Sequence, residues 1–174
     1  MTDEIDSLKS ILKQDYKNID IWIKLGYAYF RNKEFTKAIE AYLKGLKLNP
    51  GSAITWHNLG YVYYEIEDYD NAIIALKRAL KLNPKLSLSW RELSSIYIDK
   101  GDFYKSIEAS KKVLDINPKD ECAWTNLGSA YFNIKKFDNA ILALRKALEI
   151  IPGLKFAKEI LELAENAIKK KGEL

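Results

Sequence analysis

The chain has 174 residues, 48% of them hydrophobic and 30% charged, with 28 basic residues set against 24 acidic ones for a net charge of +4. That balance excludes the one-signed basic field of a nucleic-acid footprint, and no run approaches the roughly 18 consecutive apolar residues of a membrane span. The single cysteine, Cys122, has no second thiol to pair with or to share a metal with. The acidic start of the chain also lacks the basic and apolar regions of a secretory signal, so a cytoplasmic location is expected.

Taken from the N-terminus, residues 4–13 set Ile5, Leu8, Ile11 and Leu12 on one stripe of a helix, a lone half-repeat that caps the chain over residues 1–18. The next segment carries Trp22, Leu25, Gly26 and Tyr29, whose offsets of 0, 3, 4 and 7 place them on one helical face. Phe35 then marks a turn, and Ala38, Ile39 and Leu46 form the buried stripe of a second helix that ends at Asn49 and Pro50. The landmarks of this pattern return every 34 residues: the tryptophans at Trp56, Trp90 and Trp124, the turn aromatics at Tyr69, Phe103 and Phe137, the prolines at Pro84, Pro118 and Pro152. Proline lacks an amide hydrogen and disfavours helix for the residue before it, so each one marks a unit boundary. Four helix pairs result, over 19–52, 53–86, 87–120 and 121–154.

Beyond Pro152, Ala157, Ile160, Leu161, Ala164 and Ile168 share one face, and Lys158, Glu159, Glu162, Glu165 and Lys169 lie elsewhere. That predicts a polar-backed capping helix within 155–174, ending in the lysine run 169–171.

A glycine inside a helix costs about 1 kcal/mol relative to alanine, so Gly26, Gly60 and Gly128 call for close helix contact. The small residues Ala38, Ala72, Ser106 and Ala140 are expected at the crossing. In the third unit Ser94 replaces the glycine, Ser106 the alanine, and Val113 a position held elsewhere by Gly45, Ala79 and Ala147. Looser or shifted packing is expected there.

No phosphate-binding loop, dinucleotide-binding turn, zinc-protease motif or nucleophile elbow occurs. Ser10 and Lys13 match one short serine-lysine pattern whose companion motifs are missing. His57 is the one histidine and would have to recruit Glu65 or Glu92 to hold a metal. The expectation is a chain with no catalytic residues, no metal and no cofactor.

The W-x2-L-G-x2-Y opening, the closing proline and the 34-residue period resemble the tetratricopeptide repeat family over residues 19–154. The resemblance implies an all-α fold, a right-handed α-solenoid of helix-turn-helix repeats with terminal capping helices, working as a non-catalytic protein-interaction scaffold. In such a stack the first helices line an inner wall. The side of each first helix opposite its tryptophan presents Ile23, Tyr27, Phe30 and Arg31; His57, Tyr61, Tyr64 and Glu65; Arg91, Ser95, Ile98 and Asp99; Thr125, Ser129, Phe132 and Asn133.

A solvated face is ordinarily charged, whereas this one is aromatic with scattered polar tips, and clustered apolar surface marks contact sites. The expected peptide-binding residues are Tyr27, Arg31, His57, Asn58, Tyr61, Tyr64, Arg91, Ser95, Asn126, Ser129, Phe132 and Asn133, with Tyr27, Tyr61 and Tyr64 as anchors. The competing reading has neighbouring first helices packing on Phe30, Tyr64, Ile98 and Phe132.

Family members that hold extended peptides use an asparagine two residues after the repeat tryptophan, and Asn58 and Asn126 match it, while Lys24 and Glu92 do not. The family's grip on chaperone C-terminal tails is not matched. Its positions fall on Ile23, Tyr27, Asn58, Leu88 and Glu92, or one unit later on His57, Tyr61, Glu92, Cys122 and Asn126. The expected partner is a protein or peptide, with no nucleic acid and no membrane. Self-assembly into a homo-oligomer is the alternative.

Overall fold

The computed structural model describes residues 2–172, with side chains for 4–170. Among them ten helices and no strand occur: α1 (Thr2–Gln14), α2 (Ile19–Arg31), α3 (Phe35–Leu48), α4 (Ala53–Glu65), α5 (Tyr69–Leu82), α6 (Ser87–Asp99), α7 (Phe103–Ile116), α8 (Glu121–Asn133), α9 (Phe137–Ile150) and α10 (Lys155–Gly172). Met1, residues 173–174 and the Lys171 side chain, which the sequence puts in the terminal caps, lie outside the described residues. No described helix is long and apolar enough to cross a membrane.

The chain divides into two compact units, one up to Ser89 and one from Trp90 onward. In the first, α1 packs on α2, α2 on α3, α3 on α4 and α4 on α5, and α2 also reaches α4. The core gathers Leu25, Ala28 and Tyr29 from α2, Ala38, Tyr42 and Leu46 from α3, and Leu59 and Val62 from α4. Ile5, Leu8 and Leu12 tie α1 into the same cluster, so the half-repeat packs as a second-type helix. Ile11 of its expected stripe stays 40% exposed, at the margin of what α2 covers. In the second unit α7 packs on α8, α8 on α9 and α9 on α10, and α8 reaches α10. Ala157, Ile160 and Ala164 seat α10 against Ala140, Leu144 and Ala147 of α9.

The joint between units explains why tryptophan and proline travel together in the sequence. The indole N–H of Trp56 donates to the carbonyl of Pro50 at 3.0 Å and that of Trp124 to the carbonyl of Pro118 at 2.9 Å. Trp22 makes the same bond at 2.8 Å to Tyr16, which stands where the proline stands one repeat later. The asparagine before the first three prolines closes the turn from its other side: the side chains of Asn49, Asn83 and Asn117 accept the amides of Gly51, Lys85 and Lys119 at 3.1–3.2 Å. First-type helices then open on caps from Asn18, Ser52 and Asp120, which accept the amides of Ile21, Thr55 and Ala123.

Gly26, Gly60 and Gly128 do face the paired helix, and the buried Ala72 and Ala140 lie at the crossing as expected, their carbonyls 3.2 Å and 3.4 Å from where a Cβ would stand on Gly60 and Gly128, but the nearest atoms come from larger side chains. A Cβ on Gly26 would stand 2.7 Å from Tyr42 Cε1, on Gly60 2.8 Å from Leu76 Cγ, and on Gly128 2.5 Å from Leu144 Cγ. The intruder is thus a large side chain four residues beyond the expected alanine. Helical side chains lean toward the N-terminus and cover the preceding turn, which carries Tyr42, Leu76 and Leu144 onto the glycines.

The third repeat, where looser or shifted packing is expected, differs in the groups that meet. Ser94, Ser106, Ser110 and Val113 are fully buried. Ser94 Oγ lies 3.0 Å from Ser106 Oγ and 2.6 Å from Ser110 Oγ, so hydroxyls joined by hydrogen bonds occupy the crossing.

Within each pair the turn uses one residue in the left-handed region, Lys33, Glu67 and Lys135 at φ +60° and Gly101 at φ +75°. Only one of the four is the glycine that such a backbone favours.

Candidate functional site

On the first unit the exposed side of α2 and α4 carries a row of rings. The Phe30 centroid lies 5.9 Å from that of Phe35 and 5.4 Å from that of Tyr61; Tyr61 lies 6.5 Å from Tyr64, and Tyr64 6.1 Å from Tyr69. All four pairs are tilted, with centroids within the roughly 4.5–7 Å range of interacting rings. The row exists because Tyr61 and Tyr64 stand three apart on α4, Phe30 projects from the neighbouring α2, and each second helix opens with an aromatic residue. Tyr27 sits on the same side of α2, 53% exposed, with the Arg31 guanidinium 6.0 Å from its ring centroid. Asn58, one turn before Tyr61, is half-buried.

The packing reading holds for Phe30 and Tyr64, and the rings keep some exposure. Phe30, Tyr61 and Tyr64 pack on neighbours and are half-buried, keeping one surface outward, while Tyr27 stands in solvent. His57 moves inward. It is 8% exposed, and its Nδ1 lies 3.1 Å from Oγ of the fully buried Ser89. As the residue after Trp56 it points along the α4 flank that faces the next helix, which the face pattern alone does not separate from the open side.

The second unit differs in chemistry. Asn126 Nδ2 donates to Ser95 Oγ at 3.1 Å, and Asn133 Nδ2 to the Ser129 carbonyl at 2.9 Å. Ser129 is only 4% exposed. The Arg91 guanidinium lies 3.8 Å from Asp120 and 3.9 Å from Glu92, so it spans the loop that caps α8. Phe132 rests 5.7 Å from Phe137, repeating the Phe30 and Phe35 contact. The polar members expected here are thus engaged within the protein, Asn126 with Ser95, Asn133 with Ser129 and Arg91 with Asp120 and Glu92, and the aromatic row described above belongs to the first unit. Tyr69 and Phe35, which complete the row, were legible in the sequence only as turn residues.

Burial, then Glu121, pushes the Cys122 thiol above its ordinary value, which disfavours the thiolate a nucleophile needs. Burial likewise raises the phenol of Tyr42, which is 1% exposed. Neither group stands in the ring-lined face.

Helix pairs of constant length, joined by Asn-Pro turns, define a helical-repeat protein of the all-α solenoid class. Family models described as TPR repeat and tetratricopeptide repeat match residues 26–66, 53–86, 89–120 and 122–154. The chain belongs to the tetratricopeptide repeat family, whose members are in general protein-interaction scaffolds. Among solved structures, MamA is 33% identical, with 84% of this chain and 85% of that one covered at a TM-score of 0.80. YrrB, described as a TPR protein with an unusual peptide-binding site, is 17% identical over 95% of this chain and 85% of its own, with a TM-score of 0.82, and shows the shared fold. A comparison with curated protein sequences gives no match.

Proposed function

We propose that the chain is a non-catalytic scaffold that holds a peptide segment of a partner protein against the open side of its first helices. The observation that carries this is the row from Phe35 to Tyr69 with Tyr27 exposed beside it. Rigid rings give large contact area at low entropic cost, and hydroxyls and the Asn58 amide suit a ligand main chain. The positions of the family's chaperone-tail grip are largely unmatched in this sequence, which supports an internal segment as the ligand. Affinity is on the order of micromolar, because a flexible segment is ordered as it docks.

Selection from a peptide library tests this. Binders of the native chain should lose roughly tenfold or more in affinity with Tyr27→Ala and Asn58→Ala combined, while helicity stays unchanged. Binders indifferent to both changes refute the assignment.

Self-assembly is the second reading, favoured by Phe156 and Leu163 of α10, which are 57% and 55% exposed. Sedimentation at rising concentration separates the two, since a peptide reader stays monomeric.

A further inference from the structure

On the far side of α2 from Tyr27 lies a second concavity, between α1 and α3, of about 670 Å³. Its floor is the repeat's own signature, Trp22, Leu25 and Tyr29. Its rim is four lysines, Lys9 and Lys13 from α1 and Lys37 and Lys44 from α3, against one acid, Glu40. Lys9 and Lys37 approach the same ring from the two helices, their Nζ atoms 5.7 Å and 5.6 Å from the Tyr29 centroid. Asp6 and Glu34 pair with these two at the outer edge. Lys13 and Lys44 belong to no ion pair of this set.

The same place three repeats later supplies an internal comparison. A cavity of about 630 Å³ lies over Trp124, Leu127 and Tyr131 between α7 and α9. There Lys9 is matched by Lys111 and Lys44 by Lys146, which pairs with Glu149, but Lys13 by Asp115, Lys37 by Asn139 and Glu40 by Leu142. Lys111 and Lys112 are balanced by Glu108 and Asp115. Apolar floors are shared and the charge is not, so the excess of ammonium groups in the first unit is a property of that site and not of the repeat.

We infer that the α1–α3 concavity is a second binding site, for an acidic peptide segment that inserts one aromatic side chain onto Trp22 and Tyr29 with carboxylates on either side. The volume exceeds that of a phenylalanine side chain, the floor is apolar, and flanking carboxylates meet Lys13 and Lys44 while approaching the two ammonium groups over Tyr29. The site lies on the other side of α2 from the ring row, and its ligand differs by charge.

The test uses two synthetic probes, acetyl-Glu-Glu-Phe-Glu-Glu-amide and its counterpart with lysine for glutamate, followed through the indole N–H resonances of the four tryptophans. The acidic probe should shift the Trp22 resonance saturably and leave Trp124 unmoved. Lys13→Glu with Lys44→Glu, both on exposed positions, should weaken it roughly fivefold to tenfold. Lys111→Glu with Lys112→Glu, the same change in net charge, should leave it unaffected, as should Tyr27→Ala with Asn58→Ala. The inference is overturned if Trp22 does not respond at millimolar probe, if Trp124 responds equally, if the two lysine pairs have equal effects, or if the lysine probe binds as tightly.

Discussion

Ser94 and Ser110 meet through hydroxyls 2.6 Å apart at the point where the other repeats set a glycine against Tyr42, Leu76 or Leu144. One partner has grown from glycine and the other has shrunk to serine, so buried hydroxyls meet at the crossing. The two positions should therefore be coupled. Ser110→Leu alone forces a large side chain against Ser94 and should cost about 1–3 kcal/mol. Adding Ser94→Gly should recover most of that loss, through the leucine burial that the neighbouring repeats enjoy. Urea unfolding of the two single variants and the double measures the coupling; additive losses would contradict it.

Two glycines of the first repeat should respond to alanine with opposite signs. A Cβ at Gly26 meets three atoms of the buried Tyr42 ring at 2.7–3.0 Å, and Gly26→Ala should lower stability despite the better helix propensity. At Gly45 the nearest atoms are Trp22 Cβ at 3.5 Å and Ile23 Cγ1 at 3.7 Å, ordinary contact distances. Gly45→Ala should raise stability by about 0.5–1 kcal/mol. Denaturant midpoints of both variants decide the matter.

The inter-helix turns make a third case. Glu67 holds φ +60° and Gly101 φ +75° at equivalent positions. Glu67→Gly should stabilise by up to about 1 kcal/mol by relieving a left-handed backbone, and Gly101→Ala should destabilise by about 1 kcal/mol. Thermal unfolding of the pair, shifted in opposite directions, is the expected result.

Alkaline pH should loosen the first unit through Tyr42. Burial raises its phenol above the ordinary value of 10.0, so the folded state holds this proton more tightly than the unfolded one. The associated stability is complete below pH 10 and declines as pH rises past the unfolded value. Tyr42→Phe has no such proton to lose. Urea unfolding of both proteins at pH 9 and pH 11 should show a smaller decline in the variant.

Most of the architecture is legible in the sequence because its causes are local and repeated. Proline spacing, turn aromatics and the stripe from Trp22 to Tyr29 each report one geometric demand, met four times. What is not legible depends on where side chains end. Offsets along a helix place Gly26 near Ala38, but the lean of the α3 side chains brings Tyr42 there instead. Similarly, the offset of His57 suits the open side, and only the approach of Ser89 turns it inward. The polar residues of the second unit look available in sequence, since nothing in the spacing says that Asn126 reaches Ser95 or that Arg91 reaches Asp120. Fidelity of the repeat also hides its exceptions: Ser94 reads as a defect until Ser110, one helix later, is seen to have changed with it.

The central claim is that the ring row of the first unit is the ligand-contacting face. Backbone amide and aromatic resonances, mapped while a library-selected peptide is titrated into the full chain, test it most directly. The account predicts shifts concentrated at Tyr27, Asn58, Tyr61 and Tyr64, with smaller ones at Phe30 and Tyr69. Shifts confined to the helix faces around Trp22 and Tyr29, or to α10 as copies associate, would contradict it.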